Sequence, residues 1–377
     1  QASFRPTNRL NLRSGQLNTG YEGFEDFVVE ESLFVFDRYV LLFMSHAITN
    51  TIIWCCKNTL FCRTKTSDFM HNKKYNLITI LGPTASGKTS VAANVALTLD
   101  GEVISADSRQ VYRGMDLGTG KDYADYIIDG KPIPYHLIDI VDAGYEYNVF
   151  EYQKDFLKVF EEVTNRGKLP VMCGGSGLYL EAVLKNYKLI QVPINDELRQ
   201  KLEGKSLDEL TEILKNYKSE LHNQTDIENE KRAIRAIEIE EYYLTHPEIN
   251  TGMPDIRSLV VGVQFDRQTR RKRITSRLRQ RLREGMLDEV QRLLDSGLTP
   301  EQLTYYGLEY KFMTQHLTGE LTYQEMFDGL NVAIHQFAKR QMTWFRRMEK
   351  QGIEIRWLDG FMPLEEKVAK IVEWYNE

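Results

Sequence analysis

Asn76-Leu77-Ile78-Thr79-Ile80-Leu81, running straight into Gly82-Pro83-Thr84-Ala85-Ser86-Gly87-Lys88-Thr89, decides the fold. The first part is a short apolar run rich in β-branched residues, the pattern of a strand buried on both faces. The second part breaks it with glycine and proline, and Ser90 to Leu99 resumes with the composition of a helix. The segment 82–89 fits G-x-x-x-x-G-K-[ST] between a strand and a helix, the context in which that pattern cradles a phosphate. Its glycines let backbone N–H groups turn inward, and the helix N-terminus adds a favourable dipole. Gly82, Pro83, Thr84, Ala85, Ser86, Gly87, Lys88 and Thr89 are therefore candidates for holding a diphosphate. Lys88 would neutralise the charge, and the Thr89 hydroxyl is the candidate ligand for Mg²⁺. The motif alone does not choose the phosphate ester; ATP is the default on frequency.

Further strand candidates follow at 103–105, 136–140 and 169–173, with helical spacing over 149–166 (Phe150, Phe156, Leu157, Phe160, Val163) and over 178–184. Strands alternating with helices imply a parallel, doubly wound sheet. Residues 195–245 are charged and helical, 250–254 form a breaker-rich turn, and 259–265 read as a strand again. From Arg267 to Arg347 the pattern is mostly helical, and 353–358 suggest a last strand. The fold class is α/β: a P-loop parallel-sheet core with a helical insertion and a helical C-terminal region. The expected units are 70–190 as the first part of the core, 191–255 as the insertion, and 256–377 as core completion plus a basic helical region.

Composition is that of a folded globular protein, with 42% apolar and 27% charged residues. The net charge is −6, so a nucleic-acid site has to be a local basic patch. The four cysteines, Cys55, Cys56, Cys62 and Cys173, suggest neither a disulfide framework nor a zinc site, and a cytoplasmic setting is expected. Tyr39 to Cys56 carries no Lys, Arg, Asp or Glu and is about as long as a membrane span. Its Ser45, His46, Thr49, Asn50 and Thr51 argue against one, and no membrane partner is expected. Residues 1–69 read as a dispensable extension ahead of a start at Met70.

Ser105-Ala106-Asp107-Ser108-Arg109-Gln110-Val111-Tyr112-Arg113-Gly114-Met115-Asp116 follows the second strand. Ligands of open parallel sheets bind beyond the carboxyl ends of the strands, so Asp107 should face the phosphate loop. Alone, it could equally be a turn cap. From Arg267 to Arg283 there are nine basic residues and no acid. Ile274, Leu278 and Leu282 give that helix an apolar stripe and leave Arg277, Arg279 and Arg281 for nucleic-acid phosphates. Lys339 and Arg340 begin a second basic patch beside Trp344 and Phe345, which suit either unstacked bases or the core.

Gly-Pro-Thr-Ala-Ser-Gly-Lys-Thr followed by Ser-Ala-Asp-Ser-Arg-Gln-Val-Tyr-Arg-Gly-Met-Asp closely resembles the tRNA dimethylallyltransferase (isopentenyltransferase) family. Gly174-Gly175-Ser176-Gly177-Leu178-Tyr179, Arg232 to Glu238, Phe265-Asp266-Arg267 with Arg273, Ile274 and Arg277, and Ala338-Lys339-Arg340-Gln341 with Thr343-Trp344-Phe345 resemble further family segments in order. The resemblance covers about residues 75–360. The sequence departs from the family pattern at Ser176, where threonine is usual, and over Tyr306 to Lys311; the insertion from about Pro193 to Thr225 is short, and the C-terminal zinc finger of some eukaryotic members is missing.

The resemblance implies transfer of a dimethylallyl group from dimethylallyl diphosphate to N6 of the adenosine at position 37, beside the anticodon of tRNA. It implies catalytic roles for Asp107 as general base, Ser176 as a hydrogen-bonding group near the amine, and Arg267 at the diphosphate. It also places tRNA contacts at Asp107, Ser108, Arg109, Gln110, Arg232 and Arg235. Mg²⁺, a tRNA anticodon stem-loop partner and a monomer are expected. The alternatives are a P-loop small-molecule kinase or NTPase, or an isopentenyltransferase acting on free adenine nucleotides.

Overall fold

In a computed structural model of the chain, residues 74–187, 189–217, 227, 229–246 and 254–377 are described in full. Before them only backbone strands are described, at Arg9–Leu10, Glu31–Phe36, Tyr39–His46, Thr49–Cys56 and Thr59–Arg63, paired in an antiparallel sheet of their own. The remainder of the expected extension lies outside the described residues. No helix among the described residues is long and apolar enough to cross a membrane.

The core sheet has six strands: β1 (Leu77–Leu81), β2 (Gly101–Ala106), β3 (Tyr135–His136), β4 (Leu169–Gly174), β5 (Ser258–Gln264) and β6 (Arg356–Asp359). Their spatial order is β3-β2-β4-β1-β5-β6, and every pairing is parallel. Strand period two sorts the side chains between two cores. Leu77, Leu81, Ile104 and Ala106 face one, while Ile78, Ile80 and Val103 face the other.

The second face is covered by α1 (Lys88–Thr98) and the last helix, through Val91, Ala92, Val95, Val368, Ile371 and Tyr375. The first face takes α2 (Val149–Asn165) and α3 (Gly177–Leu184). Helix α2 begins at an Asn148–Glu151 capping box and buries Tyr152, Phe156, Phe160 and Val163. Among its described residues the insertion has three helices, α4 (Asp196–Leu202), α5 (Leu207–Tyr217) and α6 (Glu230–Thr245), around a small separate core of Leu202, Leu210, Leu214, Ala233 and Ile237. The C-terminal region adds α7 (Arg267–Arg283), α8 (Met286–Asp295), α9 (Pro300–Tyr305), α10 (Leu308–Leu317), the long α11 (Tyr323–Lys350) and α12 (Leu364–Asn376).

Two expected strands shift. The candidate at 136–140 stops at His136, because Leu137 and Asp139 adopt positive φ of 61° and 55°. Asp139 is turned to receive Lys121 and Tyr123. The last strand starts at Arg356 rather than Ile353.

Candidate active site

Leu81, Ala106, Gly174 and Gly262 stand in register across four adjacent strands. The loops that follow β1, β2 and β4 therefore leave the sheet at one level and meet above it, where ligands of such sheets bind. A cleft of about 760 Å³ opens there. Thr84 to Thr89, Asp107 to Gln110 and Ser176 all line it.

The phosphate loop is shaped by its glycines. A Cβ on Gly82 would stand 2.6 Å from the Val263 carbonyl oxygen, and Gly87, the N-cap of α1, has φ of 81°. Gly82 and Pro83 are buried beneath the loop rather than in the cleft wall. The Ser86 hydroxyl is buried and has no hydrogen-bond partner among the described residues, which leaves it available to an anion. Burial pushes the Lys88 ammonium below its ordinary value, while Asp107 beside it favours the charged form. The thiol of Cys173 is itself pushed up to about 12 by burial, so it sits under the loop as a neutral packing group.

Asp107 Oδ1 accepts the Arg109 N–H at 2.9 Å, so the aspartate caps its own turn and also faces the cleft. Ser176, the N-cap of α3, accepts the Ser108 N–H at 3.0 Å and lies 3.3 Å from the Ser108 hydroxyl. The glycine-rich turn after β4 is thus locked to the turn after β2. Gln110 is occupied within the scaffold, donating to the Gly120 carbonyl and accepting from Ser105. The Arg109 guanidinium lies over the Tyr305 ring, 5.2 Å from its centroid.

The arginines of α7 sort by helical face. Arg273, Arg277 and Arg281, four residues apart, line the cleft. Arg273 Nε donates to the Ala85 carbonyl at 2.9 Å and its guanidinium lies over Phe265. Arg277 and Arg281 share Asp122 at 2.9 Å each, with side-chain exposures of only 29% and 12%. Burial and the neighbouring Arg281 lower the Arg277 pKa, a sign of crowded positive charge.

The other expected site residues are placed as follows. Arg267 is exposed on the first turn of α7 and lies outside the cleft wall; Arg273 is the α7 arginine bonded to the phosphate loop. Arg281 was expected as an exposed phosphate contact, but it is committed to Asp122 and the Leu117 carbonyl. Arg279 is exposed, over Phe327, and stands outside the cleft. In the insertion Arg235 binds Glu238 and the Val192 carbonyl, a structural use, while Arg232 lies on the exposed face of α6 away from the cleft. Lys339 and Arg340 are exposed on α11, also outside the cleft wall. Trp344 resolves as packing: its indole N–H donates to buried Glu181, and a Cβ on Gly177 would strike its ring. Phe345 is fully buried.

The structure also adds residues that sequence reasoning missed. Glu289 on α8 is buried, and its carboxylate accepts the N–H groups of Asp116, Leu117 and Gly118 together with the Tyr310 hydroxyl. It holds the loop that presents Gly118 to Gly120 to the cleft. Glu309, in the segment that departs from the family pattern, enters the wall, and burial raises its pKa. Asp122 and Asp125 line the cleft as well; burial and Asp122 raise the Asp125 pKa.

A phosphate loop with a carboxylate and a hydroxyl across a cationic cleft defines a P-loop enzyme that handles a phosphate ester. Residues 110–348 match the family model described as IPP transferase, and residues 75–136 match that described as isopentenyl transferase. The chain belongs to the tRNA dimethylallyltransferase (IPP transferase) family. It is 60% identical over 305 residues to tRNA dimethylallyltransferase 1 of Parabacteroides distasonis, covering 81% of this chain and 99% of that protein. It is 62% identical over 303 residues to tRNA dimethylallyltransferase 2 of Bacteroides fragilis, covering 80% and 99%. The solved full-length tRNA isopentenylpyrophosphate transferase of Bacillus halodurans superposes with a TM-score of 0.59 at 33% identity, over 80% of this chain and 95% of that one. A eukaryotic dimethylallyltransferase acting on tRNA shares the fold, with a TM-score of 0.62 at 22% identity over 75% of this chain and 73% of that one.

Proposed function

We propose that the cleft transfers the dimethylallyl group of dimethylallyl diphosphate to N6 of adenosine 37, beside the anticodon of tRNA, and releases diphosphate. The supporting observation is the convergence of the phosphate loop, Asp107 and Ser176 from three neighbouring strand ends into one arginine-walled cleft.

An aromatic amine is a weak nucleophile, so a carboxylate placed to take its proton helps. Asp107 spends one oxygen on the Arg109 N–H, an arrangement that aims the carboxylate rather than neutralising it. Ser176, held by the Ser108 N–H, offers its hydroxyl beside the amine. As the allylic C–O bond breaks, charge grows on the diphosphate. Lys88, the loop amides and Arg273 would stabilise it. The target adenine has to leave its stack to enter such a cleft.

The Thr89 hydroxyl is a hard oxygen donor of the kind Mg²⁺ takes. Among the described residues no group of three or more acidic, histidine or cysteine side chains could cage a cation unaided, so Thr89 would hold it together with substrate oxygens and water. The ion would supply further charge neutralisation of the leaving diphosphate. Exposed Arg279, Lys339 and Arg340 are the proposed contacts to the anticodon stem-loop, and the enzyme is read as a cytoplasmic monomer.

Incubation with dimethylallyl diphosphate, Mg²⁺ and either bulk tRNA, AMP or buffer tests this directly. N6-prenylated adenosine should form in the tRNA sample alone. Product from AMP would favour a free-nucleotide acceptor, and ATP hydrolysis without prenyl transfer would overturn the proposal.

A further inference from the structure

We infer that Gln341 is a positioning residue for the transfer: one buried amide that ties the diphosphate loop to the Ser176 turn and so fixes the spacing between the two substrates. The inference rests on the transfer reaction proposed above.

Gln341 projects from the buried face of α11, between Ala338 and Phe345, and is 7% exposed. Its Oε1 accepts the Thr84 N–H at 2.9 Å, and its Nε2 donates to the Gly175 carbonyl at 2.8 Å. Thr84 belongs to the loop that would carry the diphosphate; Gly175 immediately precedes Ser176, which faces the acceptor amine. No other element needs to intervene: one planar amide spans the gap, because it alone presents an acceptor and a donor side by side at its tip. Space has been made for it. A Cβ on Gly175 would stand 2.5 Å from Nε2, so any larger residue at that position would push the amide out.

The leaving group is thus held on one side of Gln341 and the nucleophile's surroundings on the other. In-line attack needs both within a few tenths of an ångström of their reactive separation, and a misplacement of about 1 Å can cost about a hundredfold in rate. The same helix carries Lys339 and Arg340 outward within two residues of the clamp. RNA backbone held there would bear on the element that sets the loop spacing.

Two substitutions in the full chain test this. Gln341→Met keeps the volume and removes both hydrogen bonds. Gln341→Glu keeps the shape and the acceptor for Thr84 but turns an anion toward the Gly175 carbonyl. Single-turnover transfer is measured with saturating dimethylallyl diphosphate and tRNA, alongside the Kd of each substrate and the Tm. Both variants should transfer about ten- to a hundredfold more slowly, with each Kd within threefold of wild type and a cooperative melt retained. A rate within threefold of wild type in either folded variant overturns the inference. So does a rate loss matched by equal losses in affinity, or a collapse of the melt in both variants, since either makes Gln341 mere scaffold. An active wild type with unaffected variants refutes only the role of Gln341; a wild type that transfers nothing refutes the reaction itself.

Discussion

Helix α6 sets Arg235, with Arg199 of α4, against Glu238; helix α7 sets Arg277 and Arg281 against Asp122. Each is a group of two guanidiniums and one carboxylate, but burial runs in opposite directions. In the insertion the carboxylate is fully buried and the arginines are 41% and 38% exposed. At the cleft the arginines are 29% and 12% exposed while the carboxylate is 47% exposed. The first arrangement is closed: Glu238 also accepts the Asn195 N–H, and the cluster pins the strap at 192–195 to α6. The second is open, with two crowded cations on a cavity wall and one acid to share. A basic run therefore says little until it is known which member of each ion pair is buried. Buried cations around a cleft attract an incoming anion; a buried anion ringed by surface cations is a lock.

If that contrast is right, the largest losses of activity lie on the cleft side. Asp107→Asn preserves an oxygen for the Arg109 N–H, so the turn survives. The proton acceptor is lost, and single-turnover transfer should fall by about a hundredfold to ten-thousandfold at unchanged tRNA affinity. A rate within threefold of wild type would remove Asp107 from the chemistry. Arg277→Ala opens the cation wall and should slow transfer by about ten- to a hundredfold. An unchanged rate there would make the α7 pair as structural as the α6 pair.

The insertion should respond in the opposite sense, losing stability and little rate. Burial alone would raise the Glu238 pKa, but hydrogen bonds from Arg199, Arg235 and the Asn195 amide outweigh it and hold the carboxyl at about 2. The folded value lies below the ordinary 4.5, so the stabilisation is fully present above about pH 4.5 and is lost as pH falls toward 2. Glu238→Gln should accelerate hydrogen exchange in α4 and α6 at pH 7 and abolish that acid dependence, with transfer within a few-fold of wild type. Protection, corrected for the intrinsic exchange rate, that stays unchanged in the wild type as pH falls below 4.5 would break the comparison on this side.

Smaller effects follow at the surface. Arg279→Ala should leave the rate at saturation alone and reduce the salt slope of tRNA binding by about 0.7 to 0.9. Smallest of all, a chain starting at Met70 should transfer within about twofold of the full chain, a margin well below the effect of any lost catalytic contact. The matches to the Parabacteroides and Bacteroides relatives cover 99% of those proteins with 81% and 80% of this chain. Loss of folding in that truncation would show that the leading strands serve the core.

Strands β1, β2, β4 and β5 were legible because each is a short, largely apolar stretch buried on both faces, and the phosphate loop because its chemistry is local. Strand β3 was overcalled because its end is set by a distant demand, the seating of Lys121 and Tyr123 on Asp139. The direction of the α7 arginines was half legible. Their four-residue spacing singles out Arg273, Arg277 and Arg281 as one face, but counting charge along the run hid it. Gln341 and Glu289 could not be found locally at all. Their partners lie 257 and 166 residues away for Gln341, and 171 to 173 away for the loop amides of Glu289.

The place where the three-helix insertion enters the chain has an evolutionary consequence. Strands β4 and β5 are separated in the sheet by β1, so the chain must cross over it to get from one to the other. The insertion is spliced into that obligatory bridge, downstream of α3. Both ends of the bridge are anchored by sheet register, so its middle can lengthen, shorten or be exchanged without disturbing a strand pairing. Homologues could diversify this module while inheriting the reactive cleft intact, and a protein engineer could graft a different helical unit at the same joint.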